Sequence, residues 1–222
     1  MEVPGQSGSE PVPFFNGLLA IPAPAHTEGL EMGREFLEGN EAIARGAMKA
    51  RCDFFAGYPI TPASSILHYM LDLLVEKGVR NLLPGRPGGC FAQKVPDTFF
   101  PMAIQAEDEI ASIGFCIGAA MAGRKAMTAT SGPGISLYSE NVGLAQIGET
   151  PLVIVNVQRQ GPATGSATKG AEGDIQFTRW VTSGGLPVIA LSPATVGEAY
   201  ELTYRAFNLA EQYRSPVFVL TS

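Results

Sequence analysis

The string Gln105-Ala106-Glu107-Asp108-Glu109 places three carboxylates at the head of a segment that is Gly-, Ala- and otherwise almost wholly apolar as far as Gly123. A short strand-like run over 125–130 follows, and then the turn Ser131-Gly132-Pro133-Gly134. An acid at a helix start, followed one strand-and-helix step later by a Gly-rich turn, brings a carboxylate and exposed backbone amides into one crevice. The carboxylate can accept or return a proton on a bound ligand, and the glycines let backbone approach that ligand closely. Glu107 has a plainer reading beside this one. Asp and Glu in a first turn are stabilised by the helix dipole and need no ligand. The helix that follows has almost no polar face, however. It is therefore expected to be buried on most sides, with at least one leading acid directed into a cleft or interface.

Thr61 and Arg159 are the next candidates. Thr61 lies in Pro59-Ile60-Thr61-Pro62, held between two prolines after a strand, so it either donates to an anion or caps the helix that follows. Arg159 follows an apolar β-branched run and precedes Gly161-Pro162. A guanidinium at a strand's carboxyl end suits bidentate recognition of a carboxylate; a surface ion pair would explain it equally.

These residues need a scaffold. The chain has 222 residues, enough for one α/β domain with a single core. Only 16% of it is charged and 45% is hydrophobic, so part of its surface is expected to be covered by partners or its core to be large. Net charge is −6, with no Lys/Arg cluster, which argues against nucleic-acid binding. Cys52, Cys90 and Cys116 lack metal-ligand spacing, and three scattered cysteines fit a reducing cytoplasm. An iron–sulfur cluster, which usually takes four thiolates, is not expected on this chain. No apolar run reaches the ~18 residues of a membrane span. No basic residue precedes Arg34, so neither a secretory nor an Arg-rich targeting segment is expected.

Residues 1–39 read as an extended arm rich in Pro and Gly, and 40–222 as the domain. Asn40 is placed to N-cap a helix running to about Cys52. A strand is expected over 53–58, a helix over 64–77 stopped by Gly78, a helix over 107–123 and a strand over 125–130. A helix over 135–147, strands over 151–157 and 187–191, a helix N-capped by Ser192 to about Tyr213, and a strand over 216–221 complete the pattern. Segment 84–103, with four prolines, reads as an irregular loop. Alternating strands and helices specify a doubly wound, mostly parallel α/β sheet with helices on both faces. Ligands in such sheets bind at the strands' carboxyl ends, here the segments 58–62, 131–134 and 158–169. No G-x-G-x-x-G or P-loop follows a strand.

Gly39-Asn40-Glu41-Ala42, Gly57-Tyr58-Pro59-Ile60-Thr61-Pro62, Gln105-Ala106-Glu107-Asp108-Glu109, Thr128-Ala129-Thr130-Ser131-Gly132-Pro133-Gly134 and Val157-Gln158-Arg159 occur in that order. Together they resemble the α subunit of 2-oxoacid:ferredoxin oxidoreductases of the 2-oxoglutarate or branched-chain type, over its thiamine diphosphate pyrimidine-binding domain. The Thr-Ser-Gly-Pro-Gly turn is also similar to that of acetolactate synthase-type thiamine enzymes. The resemblance implies that Glu107 hydrogen-bonds N1′ of the aminopyrimidine and so promotes loss of the thiazolium C2 proton. It implies that Ser131, Gly132, Pro133 and Gly134 line the cofactor pocket, that Thr61 contacts the substrate carboxylate, and that Arg159 contacts substrate or coenzyme A. It implies oxidative decarboxylation of a 2-oxoacid to acyl-CoA, with electrons passed to ferredoxin. Mg2+ and [4Fe-4S] clusters are expected on a partner β subunit that carries the diphosphate-binding domain, in a heteromer without which this chain is inactive. Against the family pattern the 84–103 connection is long, and the chain stops after its last strand. A non-redox thiamine-dependent decarboxylase subunit and a truncated, non-catalytic scaffold are the other readings.

Overall fold

The computed structural model describes residues 35–82 and 100–222. The expected arm therefore falls almost wholly outside the described residues, as does most of the 84–103 loop. From Phe36 onward the chain is one compact unit. Among the described residues its six strands are β1 (Phe54–Gly57), β2 (Met102–Gln105), β3 (Ala126–Thr130), β4 (Leu152–Val157), β5 (Ile189–Leu191) and β6 (Pro216–Thr221). The helices are α1 (Gly39–Lys49), α2 (Ser64–Leu82), α3 (Glu109–Met121), α4 (Gly132–Leu137), α5 (Ser139–Ile147), α6 (Asp174–Arg179) and α7 (Val196–Tyr213). All strands are parallel, in the order β2-β1-β3-β4-β6-β5.

Alternation along each strand builds two cores. Phe55, Met127, Val153, Val155, Val217 and Val219 face α1, α2 and α7. Phe54, Ala126, Leu152, Ile154, Phe218 and Leu220 face α3 and α5. The expected sheet with helices on both faces is thus the observed one. The β-branched runs of β4 and β6 are buried at nearly every position, as central parallel strands require.

Several boundaries differ from the sequence reading for identifiable reasons. The loop expected over 84–103 gives way to β2 at Met102; among the described residues this edge strand pairs with β1 alone and is half exposed, and it has neither an apolar run nor an alternating one. Gly78 does not stop α2, which runs on to Leu82. The helix expected from 135 begins at Gly132, so that the expected 131–134 turn is the N-cap and first turn of α4, and a second helix, α5, follows from the buried Tyr138. The cap of α7 is Thr195, whose hydroxyl accepts from Glu198 N at 3.1 Å while Glu198 Oε2 accepts from Ala194 N at 2.7 Å; this reciprocal pair outweighs Ser192-Pro193. At the far end of α3, Gly123 adopts φ +85, a conformation that favours glycine and turns the chain into β3.

The closest helix packing is between α1 and α7. A Cβ on Gly46 would collide with the backbone carbonyl of Tyr200, which cannot swing away as a side chain can. Gly46→Ala is expected to cost about 1–3 kcal/mol through overpacking. Thermal unfolding reads this, and an unshifted midpoint would contradict the close approach.

Candidate active site

The sheet order carries four of the candidate segments to one edge. From the outside inward, the carboxyl ends of β2, β1, β3 and β4 lead into Glu107, Thr61, the 131–134 turn and Arg159. The chain passes from β1 outward to β2 and then back to β3 on the other side of β1. The crevice at such a topological switch is where open α/β sheets bind ligands. Ala106 N donates to Gly57 O at 2.9 Å, so the segments after β2 and β1 leave the sheet side by side.

The three acids have three different placements. Asp108 is the N-cap of α3, and its Oδ1 accepts from Ala111 N at 2.7 Å. Its short side chain reaches back to the first turn, which is why the helix starts at Glu109 and not at Glu107. Glu109 is half buried and lies against Gly134; a Cβ on that glycine would meet Glu109 Cγ at 2.9 Å and Oε1 at 3.2 Å. Glu107 stands before the helix, exposed, with no hydrogen bond or ion pair among the described residues. The acid turned toward the Gly-rich turn within this chain is therefore Glu109, and Glu107 is the uncommitted acceptor at the sheet's edge.

Arg159 is only 5% exposed and is not a surface ion-pair residue. Its Nη1 donates to Thr61 O at 2.7 Å and its Nη2 to Thr164 O at 2.8 Å. The guanidinium thus joins the turn after β1 to the loop after β4, and two separately chosen candidates, Thr61 and Arg159, are directly bonded. The aliphatic part of Arg159 lies over Gly132, where a Cβ would contact Arg159 Cγ at 3.4 Å. Thr61 itself is exposed.

A buried polar layer underlies this edge. Ser112 Oγ donates to Glu109 O at 2.8 Å, which uses its one hydrogen. Tyr138 O–H must then donate to Ser112 Oγ at 2.8 Å and accept from Thr128 Oγ1 at 2.7 Å. This hydroxyl chain ties the first turn of α3 to β3, and burial pushes the Tyr138 phenol well above its usual range. Asn156 Nδ2 donates to Asp174 Oδ2 at 3.0 Å, bringing α6 to the end of β4. Thr130 Oγ1, Ser131 Oγ, Asn156 Oδ1, Gln158 Oε1 and Arg159 Nε are buried without a hydrogen-bond partner among the described residues. Such atoms are costly unless a ligand or water meets them. Sequence reasoning missed Tyr138, Asn156 and Asp174. Thr128, Thr130 and Asn156 did carry a signal, as polar residues recurring on one face at the end of otherwise apolar strands; Asp174 carried none.

Comparison with known proteins places this arrangement. The family model described as pyruvate flavodoxin/ferredoxin oxidoreductase, thiamine diphosphate-binding, matches residues 45–222. The chain belongs to that family. It is 49% identical over 185 residues to the 2-oxoglutarate synthase subunit KorA of Methanothermobacter thermautotrophicus, covering 83% of this chain and 43% of that one. It is 40% identical over 195 residues to the ketoisovalerate oxidoreductase subunit VorB of the same organism, covering 86% of this chain and 48% of that one. Among solved structures it is similar to a 2-oxoglutarate:ferredoxin oxidoreductase from Magnetococcus marinus with 2-oxoglutarate, coenzyme A and succinyl-CoA bound, with TM-score 0.72, 39% identity, and coverage of 83% of this chain and 28% of that chain. The chain spans about half the length of the curated relatives it matches.

The residues present fit the thiamine cofactor named in the family description. They offer an uncommitted carboxylate at the switch-point edge, and a buried Ser131 hydroxyl that caps nothing. Among the described residues, no group of three or more His, Cys, Asp or Glu is placed to hold a metal, and no helix is long and apolar enough to cross a membrane.

Proposed function

We propose that this chain is the pyrimidine-binding part of the α subunit of a thiamine diphosphate-dependent 2-oxoacid:ferredoxin oxidoreductase. The assembled enzyme would convert a 2-oxoacid and coenzyme A to acyl-CoA and carbon dioxide, passing the electrons to ferredoxin. The supporting observation is Glu107: an acid without a partner among the described residues, at the carboxyl end of the edge strand β2, in a chain of this family. When bound, the cofactor supplies an electron sink for the bond to the departing carboxylate.

Each residue has a role the geometry can support. Glu107 would accept a hydrogen bond from the aminopyrimidine. Its exposure in this chain means that the dry surroundings that would strengthen such a contact come from a partner subunit laid over the edge. Ser131, Gly132, Pro133 and Gly134 would line the cofactor pocket. Thr61 meets the substrate carboxylate. Arg159 gives two donors to the protein's own carbonyls and keeps its remaining N–H groups for substrate or coenzyme A. Mg2+, the [4Fe-4S] clusters and the diphosphate site belong to the partner, and the complex works in the cytoplasm.

The test is copurification with a candidate β subunit, followed by assay. A brown complex that reduces ferredoxin only when 2-oxoacid, coenzyme A and thiamine diphosphate are all present is the expected result. A colourless complex that releases carbon dioxide without reducing ferredoxin would replace this reading with a non-redox decarboxylase. Failure to form any heteromer would leave a scaffold.

A further inference from the structure

Of the motifs behind the family resemblance, Gly39-Asn40-Glu41-Ala42 lies on α1 rather than at a strand end, and the roles above leave it unused. Asn40 looked like an N-cap in the sequence. In the structure the N-cap is Glu38, without a side-chain cap bond, and Asn40 is in the first turn of α1 facing another element. Its Nδ2 donates to Pro62 O at 2.9 Å and to Ser65 Oγ at 2.8 Å. The amide orientation follows from chemistry, because a carbonyl oxygen only accepts and so must face nitrogen. Both hydrogens of that nitrogen are used.

The partner of Asn40 adjoins the partner of Arg159. Arg159 Nη1 holds Thr61 O at 2.7 Å, and Asn40 Nδ2 holds the next carbonyl, Pro62 O. Two successive carbonyls of one turn are thus each gripped by a side chain from a different element, α1 on one side and the loop after β4 on the other. Ser65, in the first turn of α2, ties the same amide to the helix that the turn leads into. Thr61 is exposed between these fixed points, above the strand ends. We propose that Asn40 is a positioning residue for the 2-oxoacid: with Arg159 it locks the Thr61-Pro62 carbonyls so that the Thr61 hydroxyl meets the substrate carboxylate in one geometry. This rests on the reading of Thr61 as a substrate contact.

The residue type follows from the role. Asp is the same size but offers only acceptors when ionised, and would set a negative oxygen against Pro62 O. Ala leaves Pro62 O and Ser65 without the side chain that joins them. Fixing a contact group before substrate arrives is what lets a hydrogen bond contribute to recognition rather than to ordering the loop.

The experiment is a double-mutant cycle in the assembled complex with Asn40→Ala, Asn40→Asp, Thr61→Ala and the Asn40→Ala/Thr61→Ala pair. The expected result for Asn40→Ala is a KM for the 2-oxoacid raised about tenfold, with Asn40→Asp raised at least as much, as loss of one positioned hydrogen bond implies. The KM for coenzyme A should stay within about twofold, and the pair should be no worse than Thr61→Ala alone, since coupled residues are not additive. An unchanged KM for the 2-oxoacid, or effects that multiply in the pair, would overturn the proposal in favour of a simple tie between α1 and α2. If the Asn40 variants do not assemble, Ser65→Ala removes one acceptor and should shift the same KM in the same direction by a smaller factor; no shift overturns the proposal. A Thr61→Ala variant with wild-type KM would overturn the substrate reading of Thr61. Amide hydrogen exchange over 63–66 then judges the clamp alone: faster exchange in Asn40→Ala supports it, and unchanged exchange overturns it.

Discussion

Glu107→Gln is expected to lower 2-oxoacid-dependent ferredoxin reduction by about 10²–10⁴-fold in the assembled complex, the range typical of a lost proton-transfer group. The substitution keeps the shape and one acceptor oxygen but removes the charge that favours a protonated ring nitrogen. Because Glu107 is exposed and bonded to nothing described in its own chain, the fold should be nearly indifferent, within about 0.5 kcal/mol. That separation makes the variant informative, as lost activity cannot then be charged to lost structure. The neighbours provide the controls. Asp108→Ala should act through the α3 cap, because it removes the oxygen that accepts from Ala111 N. Glu109→Gln keeps the shape that packs on Gly134 and should leave fold and turnover near wild type. If Glu109→Gln were the more damaging change for turnover with the fold intact, the assignment of the essential acid would move two residues along the chain.

Arg159→Ala is expected to damage both activity and stability. The side chain is buried, and its removal leaves Thr61 O and Thr164 O without their donors and opens space above Gly132. Unpaired carbonyls and the missing stem together should cost about 2–4 kcal/mol. Loss of the link to Thr61 should lower kcat/KM for the 2-oxoacid by about 10²-fold. Arg159→Lys is the discriminating variant. It keeps the charge but replaces a planar fork with a single ammonium, which cannot serve both carbonyls in the same geometry. Its kcat/KM should therefore resemble that of Arg159→Ala rather than wild type. Wild-type kinetics for Arg159→Lys would show that charge alone matters there and would remove the fork from the account.

Much of this edge was legible in the sequence because local chemistry and tertiary demand agree there. The β-branched run of β4 allows few other structures, whereas Gly132-Pro133-Gly134, read as a turn, forms the first turn of α4. Thr61 and Arg159 could each be found as a polar residue at the end of an apolar strand, and Glu107 as an acid at the head of an apolar helix. What could not be read depends on contacts across the fold. The Arg159–Thr61 bond spans 98 residues, and Asn40 reaches Pro62 and Ser65 from another helix. A local rule gave Asn40 to its own helix as a cap, although its amide is spent elsewhere. The same holds for β2: an edge strand after a proline-rich stretch, it pairs with β1 alone among the described residues, and its four residues carry neither pattern that marks a strand. The sequence places Glu107 at a helix start and at least one of the three acids in a cleft or interface. In the structure Asp108 caps the helix and Glu109, against Gly134, is the half-buried acid.

The most direct test of the central claim is the structure of the assembled complex with thiamine diphosphate bound, read at one distance. The account predicts a Glu107 carboxylate oxygen about 2.6–2.9 Å from N1′ of the aminopyrimidine, the range of a charge-assisted hydrogen bond. A Glu107 side chain still turned to solvent, with Glu109 or a partner residue against that nitrogen, would contradict it.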